Sequence, residues 1–356
     1  MILQGKRILV TGGTGSLGKI LIRRLLTSEL GTPRQIIVFS RDEAKQHFMR
    51  MEYQTRASGV SDYVHQNFHE LVSFRIGDIR DYASVSAALR DVDIVFNAAA
   101  LKQVPTCEYF PYEAILTNVV GPRHIVQAIR ELNLPVETVV GISTDKACKP
   151  VNVMGMTKAI QERLFIEANL ECPTTRFICV RYGNVLASRG SVIPLFIEQI
   201  RNGGPVTITT PEMTRFLLSL NRAVDTVFAA LSQARRGETY IPRVPSAKVS
   251  DVAAALIGNQ RIETRIVGIR PGEKIHEILV SEEEAHRTVE RDQEYYIILP
   301  ALPELRDPAE MRPCLTKEYS SAEHLLSLGE IKHLLAKHHM RVADQGSADM
   351  EQELLC

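Results

Sequence analysis

The chain has 356 residues, 45% of them hydrophobic and 24% charged, with 42 Lys+Arg balancing 42 Asp+Glu. That length suits two joined lobes, and the composition is that of an ordinary globular protein, not a disordered or fibrous one. The charge balance excludes the basic footprint of a nucleic-acid or anionic-membrane binder, while leaving room for a local basic pocket.

The first β-rich run, Arg7-Ile8-Leu9-Val10, begins so early that no secretory leader is expected. No apolar run approaches the length of a membrane span. The cysteines at 107, 148, 172, 179, 314 and 356 lack CxxC spacing. They predict reduced, mostly buried thiols in a cytoplasmic protein, and no metal site.

Runs rich in Val and Ile occupy residues 7–11, 35–40, 71–76, 93–97, 138–143 and 175–181. Their continuous apolar character predicts parallel strands covered on both faces. Helical patterns at 17–26, 112–132 and 153–169 lie between them. This alternation predicts an α/β fold with a Rossmann doubly wound parallel sheet. Residues 42–70 read as a helix followed by a surface loop. After Arg181 turn-forming pieces such as Asn202-Gly203-Gly204-Pro205 interrupt the rhythm. The expected division is a dinucleotide-binding domain over 1–182, with a returning segment near 216–243, and a smaller mixed α/β substrate lobe over 183–335. Residues 336–356 are expected to form a flexible tail, polar and aperiodic from 343 onward.

Gly12-x-x-Gly15-x-x-Gly18, within Thr11-Gly12-Gly13-Thr14-Gly15-Ser16-Leu17-Gly18, follows the first strand and opens the first helix. Glycine permits the tight turn and the approach of a pyrophosphate to the helix N-terminus. Gly12, Thr14, Gly15, Ser16, Leu17 and Gly18 are therefore candidate cofactor contacts. The second strand ends at Ser40-Arg41, where NAD sites usually carry an acid. A hydroxyl followed by Arg suits the 2′-phosphate of NADP; the alternative is a solvated surface arginine. Asp42 comes too late for the acidic position. Asp78 and Ile79 after the third strand are expected near the adenine. Ala98, Ala99 and Ala100 after the fourth either make room for the cofactor or pack tightly.

The fifth strand ends at Ser143-Thr144-Asp145-Lys146. An acid beside a base at the carboxyl end of such a strand can move protons in both directions. Adjacent strand residues face opposite ways, so only a turn would bring both to one ligand. The alternative is a surface ion pair.

Taken in order, these motifs resemble the extended short-chain dehydrogenase/reductases, and more narrowly the bacterial UDP-N-acetylglucosamine 4,6-dehydratases. The resemblance covers about residues 5–335. Besides the motifs above it rests on Ala98-Ala99-Ala100-Leu101-Lys102-Gln103-Val104-Pro105, Arg181-Tyr182-Gly183-Asn184-Val185 and Ala187-Ser188-Arg189-Gly190-Ser191-Val192-Ile193-Pro194. Met213-Thr214-Arg215-Phe216 and Arg270-Pro271-Gly272-Glu273-Lys274 complete it. One position departs from the general superfamily. Where Tyr-x-x-x-Lys is usual, this chain has Met154-Gly155-Met156-Thr157-Lys158. A thioether takes no proton, so Met154 leaves the tyrosine's work to another group, while Lys158 keeps the spacing to hold the nicotinamide ribose. The same substitution resembles a capsule-forming branch that also inverts carbon 5 of the sugar.

The resemblance implies oxidation of the sugar at carbon 4 by NADP, loss of water across carbons 5 and 6, and reduction at carbon 6. It implies Lys146 as base at carbon 5, Asp145 as acid at carbon 6, and Thr144 orienting the carbon 4 oxygen. Lys102 is expected near sugar or cofactor. Asn184, Ser191 and Arg215 are implied for uridine and diphosphate, and Arg270 and Glu273 for phosphate and ribose, with Arg189 a weaker candidate. Tyr319 either belongs to a C-terminal latch over the substrate or packs in the core. The implied substrate is a UDP-sugar, and the family suggests a homo-oligomer, dimer or hexamer. A plain 4-epimerase and a non-catalytic NADP-binding protein are the rival readings.

Overall fold

The computed structural model describes residues 1–54, 61–186, 191–307 and 312–342. Of the tail expected over 336–356, residues 343–356 lie outside the described residues, as does Arg189; its start is no tail, since the helix Leu328–Lys337 runs into it and Met340 is buried in the core of the smaller lobe.

The six apolar runs become strands β1 (Arg7–Thr11), β2 (Gln35–Ser40), β3 (Val72–Ile76), β4 (Ile94–Asn97), β5 (Thr138–Ile142) and β6 (Arg176–Val180). Successive residues point to opposite faces, and each face has its own apolar cluster. Ile8 and Val10 join Leu21, Leu25, Val140 and Ile178 on one side. Leu9 joins Val95, Ile129, Val139 and Phe165 on the other. Helices cover both faces, so the strands can be apolar at nearly every position.

Further along come β7 (Val206–Ile208), β8 (Thr214–Phe216), β9 (Thr239–Pro242), β10 (Ser246–Lys248) and β11 (Thr264–Ile266). β12 (Ile278–Val280), β13 (Thr288–Arg291), β14 (Tyr295–Ile298) and β15 (Tyr319–Ser320) follow. The main sheet runs β13-β14-β9-β6-β5-β4-β1-β2-β3. Strands β1 to β6 and β9 are parallel, whereas β14 pairs antiparallel with β9 and with β13. β1 lies between β2 and β4, so the strand order reverses there. Beyond the carboxyl ends of β1 and β4 such a sheet leaves a crevice for a ligand.

The helix Leu220–Gln233 packs on α1 (Ser16–Leu26), and β9 joins the sheet, both inside the expected returning segment. β13 and β14 extend the sheet with chain from beyond that segment. The smaller lobe gathers Leu186, Ile193, Phe196, Val206, Leu256 and Ile331 into a separate core.

Two local expectations need correction. After α2 (Glu43–Gln54), the predicted surface loop instead contains α3 (Asp62–Leu71), whose N-cap Ser61 accepts from Val64 N. Val64 and Phe68 are four residues apart and buried, a helical spacing hidden in a polar stretch, and Phe68 stacks on Tyr53 at 4.0 Å between centroids. The helix predicted over 112–132 is divided into Pro111–Ile115, a π-turn at Leu116–Val120, and Gly121–Glu131. Among the described residues no helix is long and apolar enough to cross a membrane.

Candidate active site

A cavity of about 870 Å³ opens at the reversal of strand order and continues between the lobes. Gly12, Thr14, Gly15, Ser16, Leu17 and Gly18 form one end of it. Gly12 has φ +66°, and a Cβ there would stand 2.8 Å from the Ala99 backbone. Gly15 is the N-cap residue of α1 and brings no side-chain acceptor. The first-turn N–H groups and the helix dipole thus have an open end suited to a pyrophosphate. This geometry fits a dinucleotide.

Ser40 and Arg41 flank that end, with Thr14 Oγ1 3.1 Å from Ser40 Oγ. The half-exposed Arg41 side chain reaches within 3.7 Å of Asp78 Oδ2. Arg80 grips the same carboxylate, its Nη2 donating to Oδ2 at 2.6 Å. Burial works to raise the Asp78 pKa, but the Arg80 hydrogen bonds and charge, with Arg41, carry it below its ordinary value. Asp42 is occupied elsewhere: its Oδ1 accepts from Lys45 N at 3.0 Å, at the start of α2. Ile79, Ala98, Ala99 and Ala100 line the cavity, and Ala99 N donates to Thr11 Oγ1. The alanines border the cavity, and Ala98 and Ala99 pack against the glycine turn.

The chain turns sharply after β5. Asp145 N donates to Tyr182 O, and a single 3₁₀ turn spans Asp145–Ala147. The turn brings the acid and the base together. Asp145 is fully buried, and its Oδ1 accepts from Thr144 Oγ1 at 2.8 Å and Lys146 Nζ at 3.0 Å. Thr144 and Lys146 line the cavity, and Asp145 sits behind them, its Oδ2 without a partner. Burial would lower the Lys146 pKa, but Asp145 and Glu277 outweigh it and hold the ammonium above its ordinary value.

The helix Val153–Glu171 closes on this turn at Gly155, where a Cβ would lie 2.2 Å from Lys146 O. Only glycine allows that approach. One helical step away, Met154 is buried with Cys107 and Ala114, its side chain bordering the cavity. Lys158 is buried; its Nζ donates to Ile142 O at 2.6 Å and to Gln161 Oε1 at 2.5 Å. Burial, opposed by little neighbouring charge, pushes its pKa down to about 8.

Toward the smaller lobe the cavity is bordered by Lys102, Asn184, Ser191, Arg215, Arg270 and Glu273. Asn184 Oδ1 and Ser191 Oγ are buried without hydrogen-bond partners, as expected of groups kept for a polar ligand. Arg215 donates to Thr214 O and Ile275 O, which fixes its guanidinium at the wall. Glu273 accepts from Arg270 N within one turn. Tyr319 stands apart. It is buried, its hydroxyl donates to Val244 O and accepts from Val244 N, and its ring packs on Phe216 and Tyr296. It belongs to the core, because both capacities of its hydroxyl are spent on backbone.

Two residues of the site escaped the sequence reading. Glu277 is buried in the cavity wall, its Oε1 3.8 Å from Lys146 Nζ and 3.9 Å from Arg215 Nε. Asn118, in the π-turn, accepts from Leu101 N and donates to Leu101 O and Thr157 Oγ1, pinning the loop that carries Lys102. A lone Glu and a lone Asn carry no periodic signal. The proximity of Glu277 to the Arg270–Lys274 motif was the one available hint.

The geometry has counterparts among known proteins. A protein from Rickettsia typhi named UDP-glucose 4-epimerase is 41% identical over 344 residues, covering 93% of this chain and 95% of that one. The X-ray structure of Pen from Bacillus thuringiensis superposes with a TM-score of 0.84 at 32% identity, covering 96% of this chain and all of the other. The dTDP-glucose 4,6-dehydratase DesIV from Streptomyces venezuelae, at 20% identity and TM-score 0.63, covers 76% of this chain and 86% of its own, and shares the fold. A family model described as "Polysaccharide biosynthesis protein" matches residues 8–299, and with it the strands and turns that build the cavity. The chain belongs to the polysaccharide biosynthesis protein family.

Proposed function

We propose that the chain is an NADP-dependent UDP-N-acetylglucosamine 4,6-dehydratase that also inverts carbon 5. The observation that carries this reading is the Asp145–Lys146 pair, 3.0 Å apart at the carboxyl end of β5, beside the dinucleotide cradle. An elimination needs an acid and a base at one place; oxidation alone does not.

When bound, the nicotinamide supplies a reversible acceptor for the hydride of carbon 4. The chain's own residues do the rest. The open end of α1 would hold the pyrophosphate, and Ser40 with Arg41 would take the 2′-phosphate. Lys158 would hold the nicotinamide ribose from the helix Val153–Glu171. Thr144 orients the carbon 4 oxygen. Lys146 takes the carbon 5 proton, made acidic by the adjacent ketone, and a proton from solvent enters on the opposite face, which inverts the centre. Asp145 holds the proton that leaves with the carbon 6 hydroxyl, reaching the cavity through the Thr144 hydroxyl 2.8 Å away. Arg215 and Arg270 offer charge to the diphosphate, and Asn184 and Ser191 offer unspent polar atoms to the uridine. Met154 shapes the pocket. The reading includes a cytoplasmic homo-oligomer supplying a 4-keto-6-deoxy UDP-sugar to polysaccharide or glycan assembly.

A UDP-sugar 4-epimerase is the second reading, favoured by the names of relatives about 41% identical. It needs the same hydride chemistry and no elimination pair. Incubation with UDP-N-acetylglucosamine and NADP, read by mass spectrometry, separates them. Loss of one water supports the dehydratase; an isomer of unchanged mass supports the epimerase.

A further inference from the structure

Lys146 presents a difficulty that its own surroundings resolve. A base at carbon 5 must be a neutral amine, yet this lysine is held as an ammonium between two carboxylates. Asp145 cannot both store the Lys146 proton and keep its own for the carbon 6 hydroxyl. Glu277 is the other carboxyl within reach. Its side chain is 4% exposed, it borders the cavity, and its Oε2 is buried without a partner. The backbone holds it there from both sides: Glu277 N donates to Ser321 Oγ at 2.9 Å, and Ser321 N donates to Glu277 O at 2.8 Å.

We propose that Glu277 is the proton acceptor for Lys146, a third proton-transfer group beside the Asp145–Lys146 pair, freeing the lysine to act as base at carbon 5. This rests on the dehydratase reading above. One proton passes from the Lys146 ammonium to the Glu277 carboxylate, leaving a neutral amine and a neutral carboxylic acid. The amine then takes the proton of carbon 5. The electron pair of that C–H bond forms the double bond to carbon 6, and the carbon 6–oxygen bond breaks. The hydroxyl leaves as water with the proton of Asp145. A solvent proton enters carbon 5 on the face away from Lys146, Glu277 gives its proton up to solvent, and the lysine stays an ammonium. The proton released from the carbon 4 hydroxyl recharges Asp145, so the cycle loses one water and no net proton.

Burial raises the Glu277 pKa and so favours this exchange, while Asp145 and Glu277 together raise that of Lys146 and oppose it. The charged groups facing Glu277 are Asp145, Lys146, Arg215 and Lys274. Burial, then the Asp145 charge, raise the Glu277 pKa above its ordinary value, while the three cations oppose them. A carboxyl so raised is a better home for a lysine proton than one in water.

The test uses Glu277→Gln, which keeps shape but accepts no proton. Wild type and variant are loaded with NADP, mixed with UDP-N-acetylglucosamine in deuterated water, and followed by two signals. One is reduced-nicotinamide absorbance, which reports carbon 4 oxidation; the other is deuterium at carbon 5. The expected result is oxidation retained while carbon 5 exchange falls on the order of 10²-fold, the usual scale for a lost proton-transfer group. A residue acting only by charge would do the reverse. Removing its negative charge makes the neutral amine easier to form, and exchange would hold or quicken. Exchange at or above the wild-type rate overturns the proposal, as does equal loss of oxidation and exchange with cofactor affinity intact. If the glutamine variant does not bind NADP, Glu277→Asp decides alone. Exchange within about tenfold of wild type supports a proton acceptor, and a slower rate overturns it. A wild type that neither oxidises nor exchanges the sugar sinks the dehydratase reading itself, a separate outcome.

Discussion

Lys146 Nζ lies 3.0 Å from Asp145 Oδ1, and only the lysine of the pair borders the cavity. In the proposed mechanism the buried acid acts at short range through the lysine and through the Thr144 hydroxyl. Lys146→Ala removes the proposed base, and Asp145→Asn keeps the shape while removing the titratable carboxyl. Each variant is expected to lose about 10²–10⁴-fold in turnover while binding NADP normally. Steady-state kinetics beside cofactor titration checks this; near-normal turnover by either variant removes that residue from the mechanism.

Arg41 is half-exposed and forms an ion pair with Asp78 at 3.7 Å. Its guanidinium is available to a 2′-phosphate at small cost, since surface pairs of this kind contribute little. Arg41→Ala should weaken NADP by about 1.5–3 kcal/mol, the scale of a charged hydrogen bond, and leave NAD nearly unchanged. Equal weakening of both, by calorimetric titration, would exclude the assignment.

Met154 packs against Cys107 and Ala114 and holds no proton. Met154→Leu conserves apolar volume and should cost less than about 1.5 kcal/mol of stability, with most activity kept. A loss as deep as that of the Lys146 variant would mean that the sulfur itself is needed.

Lys158 is buried with a pKa lowered to about 8. In the unfolded chain a lysine titrates near 10.4. Between those values the unfolded state binds more protons, so the group's contribution to stability rises with pH across that window. Below about pH 8 it is a standing cost. Lys158→Met should flatten this part of the profile of the cofactor-free protein. Urea unfolding at several pH values measures the difference between wild type and variant, and parallel profiles would contradict it.

Arg181 ties the helix Val153–Glu171 to the segment just before β13. It is fully buried, with Nη2 donating to Glu162 at 2.6 Å and Nη1 to Glu284 at 2.7 Å. Burial would raise the Glu284 pKa, but the charge and hydrogen bonds of Arg181 outweigh it and leave it at about 2. Arg181→Met strands two buried carboxylates, which costs about 3–5 kcal/mol when one partner of a buried pair is removed. A loss near zero in denaturant unfolding would show that the network relaxes freely.

Much of this was legible in the sequence because the cues were local. The strand ends at Ser40, Asn97 and Ile142 follow from continuous apolar runs, and the Gly12–Gly18 turn from glycines at a strand–helix junction. What was not legible depends on distant chain. Glu277 is buried by Ser321 and Arg215, and Tyr319 reaches the core through Val244, pairings that no local spacing encodes. α3 was missed because its buried residues, Val64 and Phe68, are few among polar neighbours.

The most direct measurement follows hydrogen from carbon 4 of the sugar. UDP-N-acetylglucosamine labelled with deuterium at carbon 4 is turned over by the NADP-loaded protein in ordinary water, and the product is read by NMR and mass spectrometry. The account predicts loss of one water and the label at carbon 6, with the carbon 5 hydrogen drawn from solvent. Label released to water, or found again at carbon 4 in a product of unchanged mass, would contradict it.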